Sequence, residues 1–101
     1  MMESFDNIAE TIFDKATKYF ENSFEAIDYG YSGNCFSMLI TETKSNTDDC
    51  EKVIELVKKN VQENYSDIFD LSIERLKCVD EFPDDIADIE ITLNWGKVFN
   101  K

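Results

Sequence analysis

Between Asp88 and Trp95 the chain alternates without a fault: Ile89, Ile91, Leu93 and Trp95 are large and apolar, while Asp88, Glu90, Thr92 and Asn94 are polar. A side-chain period of two belongs to a β-strand with one face in a core and the other towards water. Wound as a helix, the same residues would scatter their apolar members around the axis. A lone strand leaves half of its backbone groups unpaired and its apolar face bare, so this segment needs a neighbouring strand and a covering layer.

A candidate neighbour lies just upstream. From Tyr65 to Val79 two patterns compete: Tyr65, Ile68, Phe69, Ile73 and Leu76 suit a helix, whereas Phe69, Leu71 and Ile73 alternate as a strand. The demand for a hairpin partner favours a strand from about Leu71, with Pro83 in the connection. An earlier hairpin is marked by Ile27, Tyr29 and Tyr31, then Ser32, Gly33 and Asn34 as a turn, then Phe36, Met38 and Ile40.

Two segments carry helical spacing instead. Phe5, Ile8, Ala9, Ile12, Phe13, Ala16, Tyr19 and Phe20 form one stripe, with Ser4 placed to cap it and Asp6 in the first turn. Beyond Lys44, Ser45 and Asn46, Thr47 is placed to cap a second helix. Cys50, Val53, Ile54, Val57 and Val61 would be buried, and the helix should fade near Asn64. The expected fold is α+β, helix-hairpin-helix-hairpin (αββαββ), a single domain over residues 1–101 with both helices on one face of an antiparallel sheet. Gly96 to Lys101 reads as a short tail that frays. Phe5, Phe13, Phe20, Phe36 and Phe69 are expected in the core, and Tyr29, Tyr31 and Trp95 either pack on the sheet or anchor a partner.

With 101 residues, 43% of them hydrophobic, the chain has material for a real core, which sets it apart from acidic disordered segments. Charge then narrows the function. Twenty-two acidic side chains face ten basic ones, the net charge is −12, and the sole Arg is Arg75. Direct binding to nucleic acid or to an anionic membrane is disfavoured, because both need clustered cations. Met1 and Met2 lead straight into Glu3, Ser4 and Asp6 without a signal-peptide pattern, and no apolar run approaches a membrane span, so a cytoplasmic protein is expected.

Catalytic equipment is sparse. Histidine is absent, which removes the commonest acid-base residue near neutral pH and every Ser-His or Cys-His nucleophile. Gly30 and Gly33 belong to no phosphate-binding loop. Cys35, Cys50 and Cys78 are odd in number and widely spaced, which points to a reducing compartment and small buried side chains rather than zinc ligands. No catalytic residue, cofactor or metal is expected. The carboxylates at 80–90 lack the spacing of a calcium loop.

The acidic excess is uneven along the chain. Residues 66–95 hold nine acids against Arg75 and Lys77, a net −7, whereas residues 44–65 nearly balance. Such a segment repels itself, a cost that is tolerable where a cationic partner binds; a plain solvated, solubilising face is the competing reading. The candidate partner-binding residues are Asp80, Glu81, Phe82, Asp84, Asp85, Asp88 and Glu90, with Phe82 beside Pro83 as an exposed anchor.

In size, acidity and the stretch from Asp80 to Glu90, the chain resembles the small acidic bacterial immunity proteins and antitoxins that neutralise basic nuclease toxins. That resemblance implies stoichiometric inhibition of a basic protein, with carboxylates occupying a cationic groove and no catalysis. The same physics allows a phage-encoded, nucleic-acid-mimicking inhibitor of the anti-CRISPR type. A small metal-dependent enzyme and a plain adaptor stand as alternatives from other classes. Oligomeric state is open from sequence.

Overall fold

The Ile89–Trp95 pattern finds both things it requires. In a computed structural model, which describes residues 4–77 and 85–99, the order of elements is α1 (Phe5–Thr17), β1 (Asp28–Ser32), β2 (Cys35–Thr43), α2 (Thr47–Asn64), β3 (Asp70–Lys77) and β4 (Asp85–Asn94). Short 3-10 turns follow α1 at Glu21–Ser23 and close the described chain at Gly96–Phe99. The fold is α+β, two helices with a four-stranded antiparallel sheet in the order β1-β2-β4-β3. The alternating strand is therefore a central one, flanked by β2 and β3, and Ile89, Ile91 and Leu93 are fully buried, as is Met38 on the neighbouring β2.

Register decides which side chains share a face. Phe36 lies beside Leu93, Met38 beside Ile91 and Ile40 beside Ile89, and on the other flank Leu71 meets Leu93 and Ile73 meets Ile91. These residues join Ala9, Ile12, Phe13 and Ala16 of α1 and Cys50, Val53, Ile54, Val57 and Val61 of α2 in one core. Burying a side chain such as Phe13 or Ile91 contributes about 1.5–3 kcal/mol each, so this layer carries the fold.

The local signals have physical counterparts. Gly33 adopts a φ of 57°, and it is the sole described residue with positive φ. That conformation at the first central position of a two-residue turn between Ser32 and Cys35 costs glycine nothing and would strain a residue with a Cβ. Ser4 stands at the N-cap of α1 in extended backbone, without a side-chain capping bond. At α2 the N-cap is Asn46 rather than Thr47. The buried Asn46 side chain accepts from the Thr43 N–H at 2.8 Å and donates to the carbonyls of Ser23 and Thr41, both at 3.0 Å. One amide thereby ties together the 3-10 turn, the end of β2 and the start of α2.

Other expectations need correction. Helix α1 stops at Thr17, so Tyr19 and Phe20 lie beyond it; Phe20 still packs against the core, and Tyr19 is exposed. Residues 96–99 do not fray: Val98 packs on the core and Phe99 meets Phe5 edge-on at 6.2 Å. Phe24, absent from the expected core, is buried. Pro83 and Cys78 lie outside the described residues.

Candidate functional site

The face of the sheet turned away from the helices is built from the other half of the register. In successive rows across β3, β4, β2 and β1 it presents Asp70, Asn94, Cys35 and Ser32; then Ser72, Thr92, Ser37 and Gly30; then Glu74, Glu90, Leu39 and Asp28; and finally Leu76, Asp88 and Thr41. Five positions are carboxylates and none is basic. The polar alternation that marks β4 as half-buried thus has an equivalent on all four strands.

Hydroxyl rows hold this face in order. Ser37 and Thr92 share a hydrogen bond of 2.9 Å across β2 and β4, and Thr41 donates to Asp88 Oδ1 at 2.9 Å. Asp88 is half-buried and Glu90 exposed. Glu74 and Glu90 stand directly opposite one another on β3 and β4. Opposed Cβ atoms in such a pair sit about 4.5–5.5 Å apart, where like charges destabilise a sheet.

Cations do not relieve that repulsion. Among the described residues the ion pairs are Lys58–Glu55, Arg75–Glu42, Arg75–Glu51 and Lys97–Asp70, none of which includes Asp28, Glu74, Asp88 or Glu90. Arg75 is a neighbour of Glu74 in sequence, yet it occupies an inward position opposite Ile89. There it reaches Glu42, buried on β2, at 3.8 Å and pairs closely with Glu51 of α2. The hydrogen bond to Glu51 raises the Arg75 pKa, so the guanidinium is firmly charged and committed to that edge. Lys97 is held at the margin by the Ser66 carbonyl at 2.6 Å and Asp70 at 3.2 Å.

Of the residues singled out from sequence, Asp88 and Glu90 lie on this face. Asp85 opens β4 with its backbone in register with Thr43. Asp80, Glu81, Phe82 and Asp84 lie outside the described residues. Sequence reasoning counted Asp70 and Glu74 in the acidic segment without placing them in the site, and it missed Asp28 altogether. Alternation against Leu71 and Ile73 could have found the first two; Asp28 needed the register of β1 on β2.

The described residues contain no group of three His, Cys, Asp or Glu side chains placed to hold a metal ion. Cys50 is buried, its thiol pushed up to about 11 by burial and by the nearby Glu42 carboxylate, while Cys35 is half-buried and accepts a hydrogen bond from the Asn94 amide at 3.0 Å. Tyr29 donates to Asp14 Oδ1 at 2.8 Å, and burial together with that carboxylate raises its pKa well above the ordinary phenol value. Trp95 is buried against Phe5, Phe69 and Tyr31, whereas Tyr31 itself is exposed. Among the described residues no helix is long and apolar enough to cross a membrane. No family model, curated protein or solved structure matches this chain.

Proposed function

We propose that this protein is a stoichiometric inhibitor: it binds a basic protein through its acidic surface, as an immunity protein or antitoxin binds a nuclease toxin, and it performs no catalysis of its own. The reading is carried by one observation: the open sheet face displays five carboxylates with no basic strand residue among them, and it sets Glu74 directly against Glu90. A merely solubilising surface intersperses both signs, which costs less. Here the lone Arg is drawn to the inner side, and the like charges are left facing water.

A cationic partner turns this cost into binding energy. Lys or Arg side chains laid over the Glu74–Glu90 row and Asp88 would relieve the repulsion that the free protein carries, and the long-range field of a −12 chain would speed the encounter. Asp80, Glu81, Phe82, Asp84 and Asp85, which precede Asp88 and Glu90 in sequence, are part of the same proposal and would add their charge to the contact. Such a protein would act in the cytoplasm, where a nuclease toxin meets its target.

The test is capture at low salt from the native cell, with identification of the protein released as salt rises and assay of its nuclease activity at increasing ratios of the captured pair. Inhibition saturating at one to one is expected. The Glu74→Lys, Glu90→Lys double variant should weaken binding by about tenfold or more through like-charge repulsion, as should Asp84→Lys with Asp85→Lys. A captured partner that is large and is displaced by DNA or RNA would favour a nucleic-acid mimic. An association rate indifferent to ionic strength between about 50 and 500 mM would remove electrostatic steering.

A further inference from the structure

The two edges of the sheet are built differently. The outer edge of β3 runs from Asp70 to Lys77 and is studded with charge at Asp70, Glu74, Arg75 and Lys77, with Arg75 pinned to α2 through Glu51. Charged side chains of this kind keep an edge strand from pairing with another chain. The outer edge of β1, Asp28–Ser32, has no such guard: all five residues are exposed, the sequence is Asp-Tyr-Gly-Tyr-Ser, and the one charge is at its end.

From this edge we infer that the protein forms a homodimer in which β1 pairs antiparallel with β1 of a second copy. The hairpin fixes which backbone groups are free. Because Ser32 and Cys35 close a two-residue turn, Ser32, Gly30 and Asp28 turn their N–H and C=O towards β2. Tyr29 and Tyr31 therefore direct theirs outward, as two donors and two acceptors with no strand beside them among the described residues.

A two-fold axis through Gly30 uses all of these groups at once. Tyr29 of one copy falls opposite Tyr31 of the other, twice, and each is a hydrogen-bonded pair, while Gly30 faces Gly30 as the close, non-bonded pair. Asp28 falls opposite Ser32, so the single charged residue of the edge meets a hydroxyl rather than its own image. The tyrosines form two cross-strand aromatic pairs on the helix side of the sheet, an arrangement worth more than the area it covers. That explains why Tyr31 is 62% exposed in the single chain despite lying over Trp95. Gly30 leaves the close pair unobstructed, since a Cβ built there meets nothing within 4 Å.

The axis stands perpendicular to the sheet, so the two sheets join edge to edge and both open faces look the same way. Repulsion between two chains of −12 opposes this contact, and association should strengthen as salt screens it. The inference is independent of the proposed function and is tested with no partner present.

Sedimentation equilibrium of the full chain from about 5 to 200 µM, in about 0.05 and 0.3 M NaCl, should show a monomer–dimer equilibrium that is tighter at the higher salt. Tyr31→Pro removes an N–H that points away from β2, so the hairpin ladder survives while the intermolecular ladder is lost. Tyr31→Lys places a charge at the same point. Each should raise the dimer dissociation constant by more than about tenfold, and Leu76→Lys on β3 should leave it unchanged. Should Tyr31→Pro prove unfolded by circular dichroism, Tyr31→Lys decides. The register has its own reporter: Gly30→Cys, in a Cys35→Ser background, should form an interchain disulfide under mild oxidation, because the two Cα atoms would lie about 4.5 Å apart. A chain that stays monomeric throughout, a dimer indifferent to both Tyr31 variants, or failure of two Gly30→Cys chains to couple would each overturn the inference.

Discussion

On β4, Ile89 and Ile91 are sealed against the helices, while Asp88 and Glu90, one residue away in each case, stand on the open face. The two sets share one backbone, one strand and the same neighbours, yet they answer to different constraints. The sealed inner positions are set by volume: Met38, Ile89, Ile91 and Leu93 fill space against Phe13, Val53 and Val57, and little else would fit. Outer positions are free of packing, and a sheet optimised for stability alone would place opposite charges or hydroxyls there, as Ser37 and Thr92 do. The choice of Glu74 against Glu90 is thus one that packing did not force. Inner positions explain why the chain folds, and outer positions are where the proposed partner would bind.

The comparison breaks most visibly on the inner side. Ile91→Ala or Leu93→Ala should each destabilise the protein by about 2–5 kcal/mol, through lost transfer energy and the cavity left in a core that cannot fully close. Urea unfolding followed by circular dichroism measures this as a lower midpoint at unchanged slope. A loss below about 0.5 kcal/mol at both sites would mean that the two faces are not distinguished by packing.

The next effect tests a place where charge does enter the inner face. Arg75→Ala leaves Glu42, 3% exposed, without the guanidinium at 3.8 Å and releases Glu51 of α2. An uncompensated buried carboxylate should cost about 1–3 kcal/mol, and adding Glu42→Gln should recover part of it. If the double variant is no more stable than Arg75→Ala, then the pair contributes nothing that solvent does not supply.

Much of this division was legible in the sequence, because alternation is a direct imprint of a sheet with one wet face. The periods of Phe36–Ile40 and Ile89–Trp95 placed both strands, and the need of the second for a partner resolved the ambiguity at Leu71 in favour of β3. What remained hidden depended on contacts distant in sequence. The opposition of Glu74 and Glu90 exists only once β3 and β4 are in register, and the role of Arg75 only once β3 lies beside α2. Helix ends were misjudged for a related reason: Asn46 stands at the N-cap position without a side-chain capping bond, held there by its amide's bonds to Ser23 and Thr41, partners no local rule can name. Phe20 keeps the helical period beyond the end of α1 because it still packs on the core after the chain has left the helix.

Alkali offers a third probe of the sealed side. The Cys50 thiol is raised from 9.0 to about 11 by burial and Glu42, so the folded state holds its proton more tightly than the unfolded chain does. The resulting stabilisation is fully present below about pH 9 and is lost as pH climbs through about 11, on the order of 2 kcal/mol in all. Tyr29, shifted in the same direction by burial and Asp14, adds a loss that begins about one pH unit higher. Cys50→Ala should therefore flatten the first part of the alkaline decline and leave the second. An identical pH profile in the variant would show that the Cys50 thiol is not sealed by the inner layer.

The smallest expected change in stability is the most informative about the outer face. Glu90→Lys replaces the like pair with Glu74 by an opposite pair on an exposed strand position, at a site where nothing packs. Unfolding free energy should move by no more than about 0.5 kcal/mol and in the stabilising direction, since cross-strand opposite charges contribute a few tenths to about 1 kcal/mol and screening takes part of that away. A rise in stability accompanied by loss of partner capture would separate the two properties at a single residue: the wild-type glutamate would then be kept at the expense of the fold, for the sake of binding. A fall in stability would instead mean that Glu90 belongs to the scaffold, and the open face would lose its distinction from the sealed one.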